Sequence, residues 1–349
     1  MENRPSIAIV ILNWNGISLF PEFMPPMLEF SWGEGVSVVV ADNGSSDGSP
    51  EYLEHQFPEI RVIRLDRNYG FAGGYNRALK QVDADIFVLV NSDVEVTRNW
   101  MEPCIDRLQA NPGLAAVQPK VRSWKQRDNF EYAGAAGGFL DRWGYPFCRG
   151  RILSEVETDL GQYDDPRSIF WATGACLFIR VEAFRQAGGF DEDFFAHMEE
   201  IDLCWRLKNQ GWQIGYEHRS VVFHMGGATL SYQSPRKVYL NFRNSLWMLL
   251  KNLPPGSLFP VMFPRVLLDG IAAAEFLASG KWSASRAVWN AHMDFYRTLP
   301  RFLRKRKELL PLVKQTRHTE IYRGSMVWNF YIRKLRHFSR FNFDPPHEP

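Results

Sequence analysis

An α/β domain built on a mainly parallel sheet is the fold class predicted, and three observations predict it. Apolar runs rich in Val and Ile recur at Ile7–Leu12, Val36–Ala41, Val62–Leu65 and Ile86–Val90. None of them alternates with polar residues, which is the pattern of strands covered on both faces. Segments of helical character separate them, and that β-α-β-α-β rhythm asks for parallel neighbours. In open sheets of this kind ligands bind beyond the carboxyl ends of the strands. The residues that follow each strand therefore decide what the domain can hold.

Taken in order, Ile7–Leu12 follows a single arginine and lacks a small-residue cleavage site, so it reads as a buried strand and not a signal peptide. It ends in Asn13-Trp14-Asn15-Gly16. Val36–Ala41 ends in Asp42-Asn43-Gly44-Ser45, and Pro50–Phe57 follows as a helix. After Val62–Leu65 comes a loop, Asn68-Tyr69-Gly70-Phe71-Ala72-Gly73-Gly74-Tyr75-Asn76, opening a helix over Gly74–Val82. Ile86–Val90 ends in Asn91-Ser92-Asp93. Asn, Asp and Gly terminate any strand, so each end reads either as turn chemistry or as the lining of a site.

Three segments carry residues with chemistry. A carboxylate directly after a buried strand, as at Asp93, can hold Mg²⁺ or Mn²⁺ against a diphosphate; it can equally cap a helix. Glu199, Glu200 and Asp202 open an amphipathic segment, where a helix dipole favours negative charge. Three acids in four residues exceed what capping needs, and one of them could serve as a general base toward a hydroxyl. His224 follows the apolar run Val221–Phe223 and precedes glycines. It reads as a structural histidine or as a metal ligand. The glycine loop at 70–74 is not a dinucleotide fingerprint, and no G-x-x-x-x-G-K-[ST] is present.

In this order, these pieces resemble family 2 glycosyltransferases with the GT-A fold, closest to rhamnosyltransferase-like members of bacterial polysaccharide and O-antigen pathways. The resemblance spans roughly residues 6–250 and includes Gly174-Ala175-Cys176, Gly188-Gly189-Phe190-Asp191-Glu192 and Glu199-Glu200-Ile201-Asp202. It implies inverting transfer of a rhamnose-like or other hexose from a dTDP- or UDP-sugar to a glycan or polyprenyl-linked glycan. Asp42 matches the aspartate that receives the nucleotide base, with Asn13 and Asn15 in the same pocket and Asn68, Gly73 and Asn76 near the nucleotide. Asp93 matches the last aspartate of the D-x-D metal motif, whose first aspartate is here Asn91, with Ser92 between them. His224 matches the histidine that approaches the metal, Mn²⁺ or Mg²⁺, or the diphosphate. The catalytic pair falls on Glu199-Glu200, so Glu200 is the expected base and Asp202 the reserve. Trp171, Gly174 and Ala175 are expected to shape the donor and acceptor pocket, although Trp171 also reads as core. The alternative is a non-catalytic sugar-nucleotide-binding or scaffold subunit that keeps the fold. Asn91 and Glu200, the two departures from the pattern, support it.

The chain has 349 residues and a formal net charge of +2, but the charge is unevenly spread. Residues 1–233 hold 21 basic and 32 acidic side chains, net −11; residues 234–349 hold 20 and 7, net +13. That split suggests two parts: a catalytic domain over 1–233, with its nucleotide-sugar half about 1–95 and acceptor half about 96–233, and a helical basic region over 234–349. The latter is expected to form helices at Tyr239–Leu250, 284–299 and Met326–Phe341, with five basic residues in Arg301–Lys307. Basic helices with an aromatic face suit an anionic membrane surface, hence an expected place at the cytoplasmic face of the cell membrane. No nucleic-acid partner is expected. Leu258–Ala278 is broken by charge and proline, so it does not read as a spanning helix. The four cysteines lack any C-x-x-C spacing and read as buried, reduced thiols.

Overall fold

The computed structural model describes residues 4–31, 33–226 and 234–344. The first half runs β1 (Ile7–Asn13), α1 (Phe20–Phe30), β2 (Val36–Asp42), α2 (Ser49–Gln56), β3 (Arg61–Arg64), α3 (Gly70–Leu79) and β4 (Ile86–Asn91). All four expected strands form. Helix α3 starts four residues earlier than the expected Gly74, because Gly70 takes φ +72° and begins the helix inside the glycine loop. A side chain at Gly70 would also collide with the backbone of Phe195, 2.5 Å from its Cβ position. Helix α1 forms although Pro25 and Pro26 lie inside it, because Phe20, Phe23, Met24, Met27 and Leu28 make one buried stripe.

The chain continues through β5 (Val94–Val96), α4 (Glu102–Ala110) and β6 (Leu114–Ser123). Short strands follow, β7 (Gly138–Asp141), β8 (Pro146–Cys148), β9 (Arg151–Ile152), β10 (Glu155–Val156) and β11 (Arg167–Ser168). Then come β12 (Cys176–Arg180), α5 (Val181–Gln186), α6 (Glu199–Asn209) and β13 (Gln213–His224). The main sheet has the order β11-β13-β6-β12-β4-β1-β2-β3, with β5 paired to β13. Strands β3, β2, β1 and β4 are parallel, whereas β12 runs antiparallel to β4 and β6. Ile7, Ile9 and Ile11 point into one apolar layer and Ala8 and Val10 into the other. Burial on both faces explains why these strands show no alternation.

The last third packs into the same core. Helices α7 (Pro235–Asn252), α8 (Leu258–Ala278), α9 (Trp282–Leu309) and α10 (Met326–Tyr331) carry strand β14 (Ile321–Tyr322) between α9 and α10. β14 pairs with β7 as the edge of a second sheet, β10-β9-β8-β7-β14. The expected helix over Met326–Phe341 is corrected: α10 stops at Tyr331 and Lys334 adopts φ 57°. Phe338 and Phe341 instead bury themselves against Phe139, Phe147 and Tyr322 of the second sheet. Three of the five basic residues in Arg301–Lys307 have partners within the chain, although Arg301 stays exposed. Arg301 pairs with Asp193, Lys305 with Asp191 and Asp193, and Arg306 is buried, donating to the Leu250 carbonyl at 2.7 Å. The boundary placed at 233 falls in residues 227–233, outside the described residues. All four cysteines are free and buried.

Because Phe338 is a core residue of the second sheet, Phe338→Ala should cost about 3–5 kcal/mol of stability, read as a lower urea midpoint at unchanged m-value. A loss below 1 kcal/mol would show that the tail only rests on the surface.

Candidate functional site

The sheet brings the first group of polar residues into one row. Asn13 is the register partner of Asp42 on β2, and Leu12 that of Asn91 on β4. Asn13 is buried, and its Nδ2 donates to Asp42 Oδ1 at 2.9 Å and to Ser45 Oγ at 3.2 Å. Its Oδ1 is buried without a hydrogen-bond partner, an acceptor left for a ligand. Asp42 Oδ2 accepts from the Ser45 amide at 3.0 Å, so the carboxylate is fixed in place. Asn15, at φ 53°, receives the Ser46 amide on Oδ1 at 2.8 Å and shapes the rim.

The loop after β3 is held to this row by Asn43, a residue whose role spacing did not reveal. Its Nδ2 donates to the Gly70 carbonyl at 3.0 Å and to Asn68 Oδ1 at 3.2 Å, and its Oδ1 accepts the Tyr69 amide. Asn68 in turn accepts the Gly70 amide at 2.8 Å, and the carbonyl of buried Gly73 accepts from Arg77. Asn76, expected near the nucleotide, faces elsewhere: its amide grips both the N–H and the C=O of Phe190, at 3.0 and 2.8 Å. It fastens the Gly188-Gly189-Phe190 turn to α3, so its polar atoms are consumed.

A second group forms at the ends of β4 and β13. His224 Nε2 lies 3.1 Å from Asp93 Oδ1 and 3.4 Å from Asn91 Nδ2, and its Nδ1 lies 3.5 Å from Glu131 Oε2. Burial alone would lower the His224 pKa, but Asp93 and Glu131 on either side raise it to about 10. Burial would raise the Asp93 pKa; the imidazolium more than offsets that and leaves it below the usual carboxylate range. An Nε2–H has one proton to give, and Asp93 at 3.1 Å takes it, so the Asn91 amide adds little. Glu131 had no signal in the sequence, since it sits in an irregular stretch with no strand before it. Ser92 is half-buried in the turn between Asn91 and Asp93. The Gly174-Ala175 turn lies alongside, the Ala175 carbonyl accepting the Asn91 amide at 3.0 Å.

Trp171 is corrected to a core residue. It is 4% exposed, donates Nε1–H to the Phe139 carbonyl at 2.9 Å, and lies so flat on Gly138 that a Cβ there would come within 2.2 Å of the ring. An indole that buried has no face left for a sugar.

The acidic segment begins at a strained turn. Phe195, His197 and Met198 take φ 65°, 70° and 71°, left-handed conformations that cost of order 1–3 kcal/mol each for side-chain-bearing residues. Helix α6 starts at the next residue, so this turn sets where Glu199 and Glu200 point. Buried Asn244 of α7 holds it: its Nδ2 reaches the carbonyls of Phe194, Ala196 and His197 at 2.9, 2.9 and 2.7 Å. The Phe195 carbonyl accepts the Phe71 amide at 2.6 Å, and the Phe71 ring lies against Gly174, so the turn is tied to the same edge of the sheet. Glu200 is half-buried, and burial pushes its carboxyl up to about 7. Glu199 is buried, and burial together with Glu200 raises it well above the usual range. Each leaves its Oε2 without a hydrogen-bond partner.

Asp202, the reserve base, is corrected to a structural ion. It is 0% exposed; Oδ2 lies 2.9 Å from both Arg206 Nε and Lys251 Nζ, and Oδ1 accepts from Asn252 at 2.8 Å. Burial would raise its pKa, but Lys251 and Arg206 outweigh burial and keep it low. Such a group neither reaches an acceptor nor takes its proton.

The glycosyl transferase family 2 model matches residues 10–188. A Mycobacterium tuberculosis protein named N-acetylglucosaminyl-diphospho-decaprenol L-rhamnosyltransferase is 30% identical over 207 residues, 54% of this chain and 66% of that one. The chain thus spans just under two thirds of that relative. The O-antigen biosynthesis protein RfbC of Myxococcus xanthus is 25% identical over 234 residues, 66% of this chain and 18% of RfbC. Among solved structures, the mannosyltransferase PcManGT of Pyrobaculum calidifontis, in complex with GDP-Man and Mn²⁺, superposes with TM-score 0.52 at 15% identity, covering 89% of this chain and 86% of that one. GalNAc-T7 with UDP, GalNAc and Mn²⁺ gives 0.56 at 15%, covering 72% of this chain and 48% of that one. The fold is GT-A-like.

Removing the clamp should release the turn. Asn244→Ala takes the amide donor from the Ala196 and His197 carbonyls and weakens the bonding of Phe194, and should cost about 1–3 kcal/mol in urea denaturation. Asn244→Asp, which turns a carboxylate toward those carbonyls, should cost more. Equal stability of both variants with the parent chain would contradict the clamp.

Proposed function

The chain belongs to glycosyl transferase family 2, and from that membership we propose that it moves a sugar from a nucleotide-diphospho-sugar to a hydroxyl of a glycan, with inversion. The observation that carries the reading is Glu200, a carboxyl raised to about 7 at the head of α6. A base of that strength is partly ionised at neutral pH yet strong enough to take a hydroxyl proton during attack.

In this reading Asn13, Asn15 and Asp42 receive the nucleotide base, and Asn68 and Gly73 border it. Ser92 and Asn91 lie toward the diphosphate. The acceptor oxygen attacks the anomeric carbon from the side opposite the diphosphate as its proton passes to Glu200. The bond from carbon to diphosphate breaks, and the nucleotide diphosphate leaves with the bonding pair. Glu199, buried beside Glu200, is kept protonated by burial and by its neighbour's charge, while burial is what holds the Glu200 pKa high. The Gly174-Ala175 turn, rather than Trp171, borders the sugar.

Among the described residues, no three His, Cys, Asp or Glu side chains converge as a metal cage. Asp93 and His224 nevertheless fit a divalent ion that takes its other ligands from a diphosphate and water, as Mg²⁺ commonly does. Asp93 and a deprotonated His224 would hold it. A bound Mn²⁺ or Mg²⁺ would offset charge on the departing diphosphate. The donor we propose is a dTDP- or UDP-sugar; the sugar is a rhamnose-like or other hexose, a choice that the mycobacterial relative's name, an L-rhamnosyltransferase, supports. The same name supports a polyprenyl-linked glycan acceptor; that it is met at the cytoplasmic face of an anionic membrane is part of the proposal and rests on the basic C-terminal region. We keep the division into a catalytic unit over 1–233, with a nucleotide-sugar half about 1–95, and a helical region over 234–349 as a proposal about function.

With donor in excess, kcat/KM should rise with pH and level above about pH 7 as Glu200 ionises. Glu200→Gln should lower transfer by about 10²–10⁴-fold and abolish that limb. Thermal shifts with UDP- and dTDP-sugars, with and without Mn²⁺, should show donor binding unchanged in the variant. Full transfer by Glu200→Gln would remove the base assignment. Donor binding by the parent chain without transfer or slow donor hydrolysis would favour the scaffold alternative.

A further inference from the structure

Helix α8 is built inside out. Of its 21 residues only Arg265 and Asp269 are buried. Phe259, Phe263, Leu267 and Ile271, one every four residues, are 75, 55, 54 and 65% exposed. The buried pair is fully engaged. Arg265 Nε donates to Asp269 Oδ1 at 2.9 Å and Nη2 donates to Ser245 Oγ at 2.6 Å. Asp269 also accepts from the Tyr145 hydroxyl at 3.0 Å, and its Oδ2 lies 3.3 Å from His292 Nε2 of α9. A helix facing water normally turns its apolar stripe to the core. Here an ionic anchor faces the core, Val261, Met262 and Val266 are partly covered, and four large apolar side chains face out.

The next helix repeats the pattern with charge added. On α9, Ala284, Val288, Ala291 and Phe295 are buried, while Trp282, Trp289, Tyr296 and Leu303, one every seven residues, are 72, 65, 47 and 44% exposed. Exposed Arg286, Arg297, Arg304 and Lys307 are interleaved with them. Single exposed apolar residues are ordinary, whereas a continuous array of them marks a contact surface.

We propose that the outer faces of α8 and α9 form a surface that beds into the headgroup layer of an anionic lipid bilayer. Phenylalanine, leucine, isoleucine and tryptophan would enter the boundary with the acyl chains, and the guanidinium groups would meet lipid phosphates. Charge complementarity selects this occupant. A second copy of the chain would bring the same guanidinium groups face to face. No helix among the described residues is long and apolar enough to cross a membrane, so the surface lies on the bilayer and does not span it. This deepens the membrane part of the proposed function and rests on it for the choice of partner. It also moves the docking surface away from Lys305 and Arg306, which are engaged within the fold, and from Arg301, which is paired with Asp193.

The test uses the full chain, in flotation with phosphatidylcholine vesicles with and without phosphatidylglycerol. The parent chain should float with the anionic vesicles and come off at high salt. Phe263→Ser with Ile271→Ser, and separately Trp289→Ser, should lower vesicle binding on the order of tenfold or more at unchanged melting temperature, because these side chains are exposed. If the parent floats and the folded variants float equally well, this surface is wrong while the membrane reading stands. If the parent ignores both vesicle types, the membrane reading fails and this proposal with it. A concentration-dependent dimer, abolished by the same substitutions and without vesicle binding, would give the face to a second copy and overturn the proposal.

Discussion

Three carbonyls on one amide hold the site in shape. The turn from Phe194 to Met198 places three residues with side chains in left-handed conformations, and such strain persists only where surrounding contacts over-determine it. Asn244 supplies that determination from a helix that lies beyond the residues matched by the family model. Arg243 beside it lies within 3.5 Å of the carbonyls of Asp193 and Phe194. Everything proposed for Glu200 follows from this contact. A carboxyl one residue into a helix would ordinarily be stabilised as its anion by the dipole. The turn buries it instead, and burial wins.

The same region explains the lopsided charge. Asp191, Asp193 and Asp202 come from the acidic part of the chain, and Lys251, Arg301 and Lys305 come from the basic part. They meet in one ion-pair network whose inner members, Lys251, Asp191 and Asp202, are buried and whose outer member, Arg301, is exposed. A net of −11 and a net of +13 are therefore partly two halves of one internal interaction. Separating them would leave uncompensated buried ions, which is costly. Part of the positive charge left over stands on α9 among exposed tryptophans.

Much of this was legible in the sequence, and the reasons are local. Four uninterrupted apolar runs can hardly be anything but doubly covered strands, and the residues after them had to lie at one edge. That logic placed Asn13, Asp42 and Asn91 at one edge of the sheet, with Asp93 two residues beyond the end of β4. Other features depend on tertiary partners and were not legible. Glu131 reaches His224 from an irregular stretch, and strands of two to four residues in the second sheet carry no period. Asn76 and Asp202 sit in motifs with the right neighbours, but both are fully used by Phe190 and by Lys251 with Arg206. Residues 326–341 have helical spacing, yet burying Phe338 in an aromatic cluster outweighs continuing a short helix.

The central claim is that the clamped turn, and not the sequence of acids alone, tunes Glu200. Its most direct measurement is the side-chain carboxyl ¹³C titration of Glu200 in the parent chain and in a folded Asn244→Ala variant. The account predicts a midpoint near 7 in the parent that drops toward the ordinary value of 4.5 once the turn relaxes. An ordinary midpoint in the parent, or one near 7 in both proteins, would contradict it.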